Sequence, residues 1–183
     1  MIKFRNTSNI KKINYKWVTL TILWTFLLSV VVNAFSSLFI SDAGFFTAVI
    51  VLLLLIFIGF LFDLVATAMM AADETPFHSM ATKRVRAAKQ ALFLIRNAEK
   101  VANFCGDVVG DIVGIASGVA ASVIIAKFAM TNPTLGGIIF PLVFTALVAA
   151  ATVGSKAIGK SFAIRNANGI VYFVAMLMTA FKK

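Results

Sequence analysis

Apolar runs without a charge alternate along the chain with segments that carry nearly all the lysine and arginine. No charged residue occurs between Trp17 and Ile40, and none between Ala43 and Phe62, where the apolar pattern continues past Asp63 to Met70. A third run extends from about Val108 to Ile125 and a fourth from Leu135 to Val153. Each offers the ~17–25 residues that a helix needs to cross hydrocarbon. A lipid-embedded backbone must satisfy its own hydrogen bonds, and the alternation that a β-barrel requires is missing. The pattern predicts an all-α integral membrane protein with four transmembrane helices. A basic leader and a first span occupy 1–44, and later spans fall over 45–70, 104–128 and 135–154. Pro141 lies inside the fourth span and is expected to kink it. A cleaved signal peptide competes for the first run, because Val32-Asn33-Ala34 weakly resembles a cleavage site. That run is longer than the ~7–15 residues of a signal-peptide core.

The segment between the second and third spans has helical periodicity of its own. Thr75-Pro76 reads as a helix start, with Thr75 as N-cap and Pro76 in the first turn. Phe77, Met80, Ala81, Val85, Ala88, Leu92 and Ile95 then recur on one face, with Lys83, Arg86, Lys89, Arg96 and Lys100 away from them. This predicts an amphipathic belt helix over 75–100 lying in the headgroup plane. Anchoring the spans and sensing anionic lipid are its two readings. A shorter apolar pattern over 166–181, with Asn166 or Asn168 as cap, predicts a juxtamembrane helix too short to span.

Composition agrees with a bilayer: 61% of the 183 residues are hydrophobic and 13% charged. A soluble domain is roughly half apolar and a quarter charged. The net charge of +10 is distributed by topology, because sixteen of the seventeen lysines and arginines lie before the first span, between the second and third, or after the fourth. Basic residues favour the cytoplasmic side. That places both ends and the belt in the cytoplasm, the parity that four spans require, in a cell (plasma) membrane. The cations flank spans and lack a stacking platform, which argues against nucleic acid.

The distinctive chemistry lies at the start of the third span. Gly106, Gly110, Gly114 and Gly118 fall every fourth residue, with Ser122 next, and form a slowly drifting stripe of small residues. Such stripes let helices approach closely, either within the chain or across a homodimer seam. Asp107 and Asp111 stand one turn apart beside the stripe. Asp63 lies near the same end of the second span, and Lys156 and Lys160 near that end of the fourth. An intramembrane carboxylate faces a cavity, pairs with a cation or binds an ion. Clustered carboxylates and hydroxyls are hard oxygen ligands that suit Mg²⁺, with Asp107 and Asp111 as the metal candidates. A structural Asp111–Lys156 pair is the alternative. Cys105, the only cysteine, reads as a small buried residue, and His78 as an isolated interfacial polar group. No Ser/His/Asp set, HExxH or phosphate loop is present, so an enzyme is not expected.

From about Phe62 to Phe181 the chain resembles the transmembrane domain of the CorB/CorC/CNNM magnesium-transporter family. Val65-Ala66-Thr67-Ala68-Met69 stands where that family has a Ser-Glu-Thr-Ala-Leu-like segment, and Val109-Gly110-Asp111-Ile112 where it has Val-Gly-Asn-Asn. Gly154-Ser155-Lys156-Ala157-Ile158-Gly159-Lys160 stands where it has Gly-Glu-Val-Leu-Pro-Lys, followed by Ala163-Ile164-Arg165-Asn166. The resemblance implies a span, a belt helix, two further spans and a juxtamembrane helix, in a dimeric carrier of Mg²⁺ as substrate. It places Asp111 at the family's asparagine, Asp63 or Thr67 near its serines, and Lys156 at its glutamate. An ammonium has no lone pair for a metal, and Gly159 replaces the family's proline. The first span is an addition, and the family's cytoplasmic CBS-type domains are expected to be lacking, so that any ion movement proceeds without that regulation or with a separate regulatory or membrane partner. Divalent-cation transport is the leading expectation; a membrane scaffold or accessory subunit is the alternative.

Overall fold

The computed structural model describes residues 15–41, 44–132 and 137–181. Lys3, Arg5, Lys11, Lys12, Lys182 and Lys183, with parts of the short turns expected around Ser41-Asp42 and Thr131-Asn132-Pro133 on the side opposite the basic segments, lie outside them. Among the described residues all regular structure is helical: α1 (Tyr15–Ser41), α2 (Phe45–Ala71), α3 (Thr75–Thr82), α4 (Ala88–Arg96), α5 (Ala98–Ala102), a π-helical segment (Asn103–Val109), α6 (Gly110–Thr131), α7 (Ile139–Arg165) and α8 (Ala167–Phe181). Four helical runs are long and apolar enough to cross a membrane: α1, α2, the continuous run Ala98–Thr131, and α7. The chain is a multi-pass membrane protein.

α2 is the hub, packing on both α6 and α7. Its seam with α6 is built from small and branched residues, Ala48, Leu52 and Leu55 against Val113, Ala116, Ala120 and Ile124. Small side chains bring the helix backbones close, which maximises the dispersion contacts that hold spans together in lipid. α1 lies at the periphery against α6 and α2, and leaves Trp24, Phe26 and Leu38 exposed. At the far end, Phe128 of α6 stacks on Phe140 of α7 with centroids 3.8 Å apart. A second core closes the other end of the bundle. There Met69, Phe77, Ala91 and Leu94 pack with Val171 and Ala175 of α8.

Several expectations shift. The single helix over 75–100 is broken: α3 stops at Thr82, and Arg84 and Ala87 take left-handed φ of 53° and 66° before α4 begins. Thr75 does not cap α3 through its own side chain. Asp73 Oδ1 instead accepts from the Thr75 N–H at 3.1 Å and its hydroxyl at 3.0 Å. Pro141 does not interrupt α7 but sits in its first turn, where the missing N–H has no partner to lose. α7 also runs on to Arg165, so Lys156, Lys160 and Arg165 project from the spanning helix itself. Asn168 caps no helix with its side chain; its Oδ1 accepts from the Asp73 N–H at 3.0 Å, tying α8 to the α2–α3 connection.

Candidate functional site

Three close contacts fix how α2 faces its neighbours. A methyl group added at Gly106 would lie 3.3 Å from Ala66 Cβ, and one at Gly59 would lie 3.4 Å from Val113 Cγ1. A methyl at Gly159 of α7 would lie only 2.5 Å from Cε2 of Phe60. Gly59 and Ala66 share the stripe of α2 that faces α6 and the π-helical segment, Phe60 faces α7 about 100° further round, and Asp63 falls between those two directions. Asp63 therefore points toward the seam where α6 and α7 meet. The pairs Ala66–Gly106 and Gly59–Val113 run antiparallel, a register that puts Gly110 at the level of Asp63.

At that level the seam is polar but not locked. Asp63 is half-buried, and its Oδ2 is buried without a hydrogen-bond partner. Lys156 reaches from α7 so that its Nζ lies 3.8 Å from where a Gly110 side chain would begin. Among the described residues the ion pairs are Glu74 with His78 at 3.1 Å and with Arg96 at 3.5 Å. Neither Asp63–Lys156 nor Asp111–Lys156 is a salt bridge, so the structural pair weighed for Asp111 does not form. Thr67 directs its hydroxyl inward along its own helix, donating to the Asp63 carbonyl at 2.9 Å. His78, read as isolated, is paired with Glu74.

The other two acids lie at the π-helical segment, Asp107 within it and Asp111 just beyond it. A π turn takes in more residues than an α turn, which re-aims everything beyond it. Gly106 and Gly110 face inward against α2 and Lys156, whereas Gly114 and Gly118 have nothing within 4 Å of where a side chain would begin. Asp107 and Asp111 are exposed on that outer side, with Ser122. The stripe and the acids are thus divided into two sets: an inner one of Asp63, Gly110 and Lys156, and an outer one of Asp107, Asp111, Gly114 and Gly118. Among the described residues no three His, Cys, Asp or Glu side chains converge as a ready metal cluster. Cys105 is buried beside the inner set.

Sequence reasoning missed the Phe60–Gly159 contact and the unpartnered Asp63 oxygen. The only available signal was an acid and a glycine interrupting apolar runs, without the register that joins them. Comparison with family models, curated proteins and solved structures finds no match to the chain.

Proposed function

We propose that the chain is a small dimeric carrier of divalent cations of the CorB/CorC/CNNM type, seated in the cell membrane with both ends cytoplasmic. The observation that carries this reading is the half-buried Asp63 with its unpartnered carboxylate oxygen, in the same α2–α6–α7 seam as the Lys156 ammonium. A charged pair left unlocked inside a spanning bundle costs stability, and transport is a use that offsets that cost. The order α2, α3 with α4, α6, α7, α8 supports the same reading, as it follows the order that the resemblance implies. In the empty carrier the Lys156 ammonium, in the same seam but not bonded to Asp63, offsets part of its charge. A Mg²⁺ ion, preferring hard oxygen ligands, takes the free carboxylate and repels the ammonium. Asp107 and Asp111 attract cations at the outer face of α6, and Gly114 and Gly118 let a second copy approach there.

Mg²⁺ flux into proteoliposomes tests the proposal, with circular dichroism and gel filtration reporting folding. Asp63→Asn is expected to lower flux roughly tenfold or more, on the scale of losing a group from a metal site. Lys156→Glu, which restores the carboxylate of the resembling family, is expected to raise Mg²⁺ affinity; Asp111→Ala reports whether the outer acids lie on the path. No flux of any divalent ion through folded native protein would falsify the carrier reading. A second reading, a membrane scaffold that docks another span, is favoured by the open space at Gly114 and Gly118. It predicts native assembly with no flux.

A further inference from the structure

We infer that the recess between the α3–α4 joint and α8 binds the phosphate group of an anionic phospholipid. Arg84 and Ala87 both adopt left-handed backbone conformations, which residues with a side chain seldom do. The joint they form gathers Arg84, Arg86 and Lys89 around a recess of about 620 Å³, also lined by Gln90 and by Thr179 of α8. All three cations are exposed, and none has an ion-pair partner among the described residues, where Glu74 takes His78 and Arg96. Two guanidinium groups and an ammonium around one concavity, with no acid among its lining residues, leave uncompensated positive charge. Guanidinium forks match phosphate oxygens bidentately, and an ammonium adds a mobile point charge.

The same chemistry could come from a soluble phosphate, but the apolar surroundings select the lipid. Val85 lines the recess and is exposed. Met176, one turn before Thr179 on α8, is 45% exposed. A soluble anion leaves these side chains in water, whereas a phospholipid lays its chains over them while its phosphate sits on the cations. The inference is independent of ion transport, since none of these residues belongs to the α2–α6–α7 seam.

Native mass spectrometry of the full chain, titrated with phosphatidic acid against phosphatidylcholine, tests it, with inorganic pyrophosphate as the soluble competitor. Arg84→Gln/Arg86→Gln/Lys89→Gln is expected to weaken phosphatidic acid binding by roughly fivefold per cation removed. Lys16→Gln/Lys100→Gln/Lys160→Gln, which removes equal charge elsewhere, is expected to weaken it much less. Arg84→Lys/Arg86→Lys retains the charge but not the forked donors, and should lose clearly less binding than the neutralised triple, separating a binding loss from misfolding. Equal losses in the two neutralised triples overturn the site in favour of diffuse attraction. Pyrophosphate displacing phosphatidic acid at comparable concentration overturns the lipid in favour of a soluble ligand.

Discussion

At the scale of single residues, side chains that interrupt an otherwise apolar pattern carry the local decisions. Asp73 is fully solvated, and the Thr75 N–H and hydroxyl that donate to it hold its carboxyl below the ordinary 3.8. A depressed folded-state value gives stability above the unfolded pKa that is lost as pH falls through the folded one. Thermal unfolding should therefore show a loss on the acid side, below about pH 4. Asp73→Asn should remove that pH dependence while keeping an acceptor for Thr75. Gly159 is set by contact: any side chain there meets the ring of Phe60. Gly159→Ala should destabilise the protein in micelles by ~1–3 kcal/mol, the usual cost of overpacking. In a Phe60→Ala background most of that cost should disappear, because the ring that it strikes is gone; a double-mutant cycle reads this directly.

At the scale of elements, the long apolar runs were legible and their junctions were not. Span α2 over Phe45–Ala71 and helix α8 over Ala167–Phe181 lie within about a residue of the sequence reading, because length and periodicity alone specify them. The break between α3 and α4 carries no glycine, proline or asparagine to announce it, since Lys83 to Ala87 contains none. It forms because tertiary packing turns α4 so that Ala87, Ala91 and Leu94 bury against α8 and α2, beside Phe77 of α3. Left-handed backbone at Arg84 is therefore imposed from outside. Arg84→Gly relieves it and should raise thermal stability by ~0.5–1 kcal/mol. The π-helical segment is equally silent in sequence. Its consequence is a change of register between the helix before it and α6.

At the scale of the molecule, a bundle centred on α2 leaves the outer side of α6 uncovered, with Asp107, Asp111, Gly114 and Gly118 upon it. Glycines with open space before them invite close approach by another helix. If the proposed dimer forms across this face, Gly114→Leu/Gly118→Leu should reduce the dimer fraction in cross-linking of reconstituted protein while leaving the monomer's helicity unchanged. A fraction that does not move would count against this face as a dimer seam.

Sequence alone determined that this chain is helical, that it belongs in a membrane as a multi-pass protein, and which segments are long and apolar enough to span one. Those outcomes depend on run length and on the cost of unsatisfied backbone in lipid, both local quantities. It also marked Asp63, Asp107, Asp111 and Lys156 as exceptions within apolar surroundings. Only the tertiary structure decided that Asp63, Gly110 and Lys156 share a level of one seam while Asp107 and Asp111 face away. That division depends on the register between α2 and α6, which is set by packing between residues far apart in sequence and which no local pattern encodes.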